Sequence, residues 1–138
     1  MKLRAFFLSL LVLSSGACAL EPTAGVKATV LMKTSSSWNG RPLSYPEGQA
    51  EATAMIIEVA PGAETGWHLH TVPSFAVMLE GELQVSTADG QVNRLKAGDA
   101  VAEVVDTLHN GKNIGLIPVK LVVFYAGAVG KPLSVMAR

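Results

Sequence analysis

Between residues 51 and 125 the sequence breaks into short runs rich in Val, Ile, Leu and Thr, each closed by Gly, Pro or Asp, and none sustains a 3.6-residue period. That grammar dictates strands. The runs 28–32, 51–59, 67–71, 75–80, 82–87, 91–95, 100–105 and 119–125 read as β-strands. Pro61-Gly62, Glu80-Gly81, Asp89-Gly90 and Ala97-Gly98-Asp99 supply the turns, and Asp89-Gly90 between two alternating runs is the clearest hairpin. Many short strands at even spacing predict an all-β sandwich or barrel rather than an α/β fold.

The polar stretch 34–49, with Gly40, Pro42, Pro46 and Gly48, reads as a long arm able to cover a barrel mouth, and the tail from residue 127 reads as loop. The expected organisation is a leader over 1–19, a strand and arm over 20–50, a barrel core over 51–126 and a tail over 127–138.

The leader differs in kind. Lys2 and Arg4 precede an apolar run over 5–13, and small residues follow through Ala19, the three-part pattern of a secretory signal peptide. The run falls short of the about 20 residues that cross a bilayer. Ala17-Cys18-Ala19 fits cleavage after Ala19, which discards the one cysteine of the chain; the alternative makes Cys18 the lipidated first residue of a lipoprotein, with Ser15 where a leucine is usual. Either route predicts a secreted or periplasmic domain held by hydrophobic burial rather than disulfides.

The 138 residues are 49% hydrophobic and 16% charged, which suits one globular domain and leaves no room for a second. Lys+Arg and Asp+Glu each number 11, so loss of Lys2 and Arg4 leaves a mature net charge of about −2. That balance argues against nucleic acid as a partner.

All three histidines fall in one pattern: His68 and His70 in Trp67-His68-Leu69-His70, and His109 further on. On a strand, side chains at i and i+2 share a face, roughly 7 Å apart along the chain. Two imidazoles so placed, with a third from an adjacent strand, make a facial metal site with open positions for water, substrate or dioxygen.

These residues resemble the two motifs of a small single-domain cupin of the conserved-barrel, RmlC-like type. The first motif runs glycine, five residues, His-x-His, three or four residues, glutamate, six residues, glycine; Gly62, His68, His70 and Gly81 match it. The second runs glycine, five residues, proline, x, glycine, two residues, histidine, three residues, asparagine; Gly98, His109 and Asn113 match it. Three departures stand out. Ser74 or Phe75 takes the place of the glutamate ligand, Val104 that of the proline and Asp106 that of the second glycine.

The resemblance implies a double-stranded β-helix, a jelly-roll barrel, with a divalent transition metal (Fe, Mn, Zn, Ni or Cu) on His68, His70 and His109. It also implies a homodimer formed through sheet edges, which would cover the apolar run 119–125. Without the glutamate, three neutral imidazoles leave the metal its full +2 charge, which favours an anionic, bidentate oxygen ligand such as a carboxylate, enolate or catecholate. Ser74 is at best a weak ligand or a hydrogen-bond donor beside the metal. Glu103, at a motif position that is normally apolar, is a carboxylate that the neighbouring strand could bring to the metal.

Asn113 is expected to fix a loop or orient His109, and Trp67 and Phe75 to pack the core or line the pocket. Trp38, Arg41 and Tyr45 of the arm could cap it, Arg41 pairing with an anionic ligand. Two functions compete: a metal-dependent, dioxygenase-like enzyme acting on a small anionic substrate, and a non-catalytic secreted module that binds a small ligand or metal.

Overall fold

The computed structural model describes residues 24–137; the leader read over 1–19, with Cys18, lies outside them. Nine strands occur in the described residues: β1 (Ala50–Val59), β2 (His68–His70), β3 (Ser74–Glu80), β4 (Glu82–Thr87), β5 (Val92–Lys96), β6 (Ala100–Ala102), β7 (His109–Asn113), β8 (Val119–Ala128) and β9 (Ser134–Met136). They form a four-stranded sheet, β1-β8-β3-β6, and a five-stranded sheet, β5-β4-β7-β2-β9. Every pairing between named strands is antiparallel.

The core forms because the strands alternate. In β8, Val119, Leu121, Val123 and Tyr125 are buried, while Lys120, Val122 and Phe124 between them are more exposed. These residues pack with Val59, Met78, Leu83 and Val85 contributed by both sheets. Each such aliphatic side chain, fully buried, contributes about 1.5–3 kcal/mol.

The turns follow the glycine signals. At Gly81, φ is +78° and an added Cβ would sit 2.8 Å from the Pro118 carbonyl oxygen and 2.9 Å from Val119 Cα, so the closing glycine of the first motif is sterically required. Asp106, where the second motif has glycine, is the one non-glycine residue among those described with positive φ, at 48°. Its N–H donates to the His70 carbonyl at 2.9 Å, so the aspartate preserves the glycine's left-handed turn.

Several expectations need correction. Residues 28–32 form no strand: Val30 and Leu31 are exposed and no neighbouring strand pairs with them, so β-propensity there has nothing to act on. His109–Asn113 is a strand although His-Asn-Gly-Lys-Asn carries no β-branched residue. It forms because β4 pairs with it from Leu83 to Thr87. The tail is not all loop, since β9 pairs with β2 from His68↔Met136 to His70↔Ser134. The run 119–125 is no exposed edge either, because β8 lies between β1 and β3; the open edge of that sheet is β1. At the opposite edge the arm docks on β6, where the Trp38 N–H donates to the Ala102 carbonyl at 3.0 Å.

Candidate metal centre

β2 is three residues long and carries two of the histidines, and register decides where the third arrives. His68 stands directly opposite His109 across β2 and β7. The ring centroids are 4.3 Å apart for His68 and His109, 4.9 Å for His70 and His109, and 5.0 Å for His68 and His70. One nitrogen from each imidazole lies within 4.8 Å of the others, so the three form a group that could hold a metal ion.

Hydrogen bonding prepares two of the rings for that role. Nδ1 of His68 lies 2.8 Å from the Gly66 carbonyl oxygen, and Nδ1 of His109 lies 2.8 Å from that of Thr107. A carbonyl only accepts, so each Nδ1 carries the proton and each Nε2 keeps its lone pair. Nδ1 of His70 is buried without a hydrogen-bond partner. Burial, reinforced by His109 and His68, pushes the His70 pKa down to about 3. Burial also lowers that of His109, against the opposing charge of Glu103. Both imidazoles are therefore neutral near pH 7, the form that binds metal.

The histidines line a cavity of about 480 Å³. Met55, Ile57, Leu83, Leu121 and Val123 give it apolar walls. Its polar lining includes Glu64, Thr65, Ser74, Glu103 and Tyr125. Glu64 accepts from Asn110 Nδ2 at 2.8 Å and pairs with Lys112 at 3.0 Å. Those partners lower its carboxyl pKa.

Ser74 lies within the cavity wall, its Oγ buried and without a protein partner. Glu103 is outside the group of three ligand nitrogens; its Oε1 accepts from Trp38 Nε1 at 2.6 Å and from the Val104 N–H at 2.8 Å. Direct ligation by Glu103 is thus not the observed geometry, because these two donors hold the carboxylate beside the centre.

Asn113 fixes the loop and does not orient His109. Its Nδ2 donates to the carbonyls of Val59 and Ile117, each at 2.8 Å, and its Oδ1 accepts from the Gly115 N–H at 2.9 Å. Trp67 and Phe75 do not line the cavity: Trp67 is exposed, and Phe75 alternates out of phase with buried Ser74 and Ala76. Arg41 and Tyr45 line a separate cleft with Asp106 and Lys131, so Arg41 does not cap the histidines. In the sequence Tyr125 reads only as a strand residue, yet its ring and that of His70 meet edge to face with centroids 5.4 Å apart. A phenol in the inward phase of an otherwise aliphatic run was the available signal.

An all-β barrel of two sheets with three converging imidazoles in its cavity defines the class: a small β-barrel protein able to hold a metal. The family profile for the Cupin domain matches residues 55–125, and the chain belongs to that family. It is 31% identical to the oryzines biosynthesis cluster protein J of Aspergillus oryzae over 65 residues, which make up 47% of this chain. The match spans only 35% of that relative.

Among solved structures it is similar to a Klebsiella pneumoniae protein with a double-stranded β-helix domain, at a TM-score of 0.54 and 21% identity, covering 70% of this chain and 90% of that one. It is likewise similar to oxalate decarboxylase from Lactobacillus farciminis, at a TM-score of 0.55 and 19% identity, covering 64% and 27% of the two chains. These likenesses establish the double-stranded β-helix fold.

Proposed function

We propose that this protein holds a divalent transition metal on His68, His70 and His109 and binds a small ligand with an anionic oxygen beside it. The observation that carries the reading is the convergence of all three histidines of the chain, from β2 and β7, inside one cavity. Three neutral imidazoles leave a divalent ion its full charge, and that charge selects an anion. The donor set suits Fe, Mn, Zn, Ni or Cu alike.

When bound, the metal supplies Lewis acidity or, if it is iron, the redox chemistry of a dioxygenase. The chain's own part is positional. The Gly66 and Thr107 carbonyls fix two imidazoles, the aliphatic walls exclude bulk water, and the polar lining orients the ligand.

A specific observation favours the second reading, binding without turnover: the three lining carboxylates, Glu58, Glu64 and Glu103, all have protein partners, Lys120 for the first, Asn110 and Lys112 for the second, and Trp38 and Val104 on Oε1 of the third, so none is a wholly unengaged general base.

Metal analysis of protein purified from its native compartment, beside the His109→Ala variant, tests the reading. Iron, with oxygen uptake on adding a diketone, catechol or thiol, supports the enzyme; tightly held zinc without turnover supports the binder. Absence of any transition metal from the native protein defeats both. The same reading has the domain secreted or periplasmic, with lipidation at Cys18 as the alternative, and the mass of the mature N-terminus distinguishes them. It also pairs two copies through the open β1 edge, which light scattering checks.

A further inference from the structure

The cavity has two polar sides. From the other sheet and the residue that follows β6, three polar residues stand side by side: Glu103, whose N–H donates to the Ser74 carbonyl at 2.9 Å, then Ser74, then Tyr125, which is the Cα partner of Ser74 in the β3–β8 register. All three line the cavity. The rest of the inward positions nearby are aliphatic, so this row needs a reason.

Two features mark it as built for a ligand. Ser74 Oγ is buried without a partner, and a buried hydroxyl left unpaired is destabilising unless something polar meets it. Both protein donors to Glu103 fall on Oε1, one from the Trp38 indole and one from the Val104 backbone, so Oε2 is the oxygen left to accept. The indole comes from the arm, 65 residues away in sequence. The backbone N–H of Trp38 donates to the Ala102 carbonyl, so the arm grips two successive residues, the last of β6 and the one after it.

We propose that Glu103 and Ser74 form a recognition subsite for a hydroxyl-bearing ligand, with Trp38 as the positioning residue. The proposal rests on the metal-and-anion reading above. A carboxylate only accepts, so the group it meets must donate. The ligand class is therefore a small molecule with an anionic oxygen for the metal side and a hydroxyl for Glu103, of which a 2-hydroxy acid is the simplest example. A simple carboxylate lacks the second contact.

The test uses cobalt(II)-loaded protein and two probes, acetate and glycolate, titrated by visible absorption. Chelation by glycolate contributes equally in every variant, so the readout is how the preference changes. Glu103→Leu should lower the glycolate-over-acetate ratio by about tenfold, weakening glycolate while acetate binding holds or tightens, because a negative charge has left the cavity. Trp38→Phe should lower the ratio in the same direction by less, with one cobalt still bound per chain. Ser74→Ala should also lower it.

A ratio unchanged in Glu103→Leu overturns the subsite, as does an equal loss for both probes. Failure of the wild type to take up cobalt, or of either probe to alter its spectrum, sinks the metal-and-anion reading instead.

Discussion

His68 and His109 face one another across β2 and β7 as direct cross-strand partners, 41 residues apart in sequence and 4.3 Å between ring centroids. Each is tethered through Nδ1 to the carbonyl two residues before it. The register of one strand pair therefore sets the spacing of two imidazoles. Replacing His109 by alanine should reduce metal affinity by more than the about 10–100-fold that loss of an outer hydrogen-bond partner costs. Competition with a chromophoric chelator measures it, and metal retained at wild-type strength would disprove the site.

The metal-free protein should lose stability on acidification. His70 titrates at about 3 when folded against 6.5 when free, chiefly because it is buried, so as pH falls the unfolded chain takes up the proton first. Stability is flat above about pH 6.5 and drops between there and about 3, by up to about 1.4 kcal/mol per pH unit for this one group. The depressed His109 acts in the same direction. Urea midpoints at pH 7.5 and pH 5 check this; a higher midpoint at pH 5 would mean that the rings are charged in the folded state.

Asn113 has a structural task that separates cleanly from the histidines. Asn113→Ala removes the bonds to Val59, Ile117 and Gly115 and should cost about 2–4 kcal/mol, leaving the buried Val59 carbonyl without this donor. Metal affinity of the fraction that stays folded should hold within about twofold, since Asn113 does not touch His109. A large selective loss of metal affinity would restore it to the role of a ligand-orienting residue.

The two motif turns should respond oppositely to substitution. Gly81→Ala meets the Pro118 carbonyl at 2.8 Å in a left-handed backbone, so about 2 kcal/mol or more of destabilisation is expected. Asp106→Gly should be neutral or mildly favourable, whereas Asp106→Val should cost about 1–2 kcal/mol at φ 48°. Thermal melts of the three variants rank them, and equal melting temperatures would contradict the steric account.

The sequence made the histidine centre legible because its spacing carries geometry: i and i+2 on a strand can only share a face. It made the core legible through alternation, as in β8. It could not reveal β7 or β9, whose short polar or exposed sequences become strands only because β4 and β2 offer them ladders. Nor could it pair Trp38 with Glu103, a contact that depends on how the arm lands on β6. The place of Arg41 in a separate cleft is illegible for the same reason, since a loop residue's destination is set by packing and not by local pattern.

The segment Pro132 to Ala137 lies zipped along residues 67–71: Thr71 Oγ1 donates to the Pro132 carbonyl, the Thr71 N–H to that of Leu133, and the Ala137 N–H to that of Trp67. β2 is thus splinted on one flank by a closing strand only three residues long. Whatever a cation gains by ordering His68 and His70 is shared with that splint, so loading the centre should slow protease clipping near the carboxyl end, and trimming that end should loosen the grip on the cation.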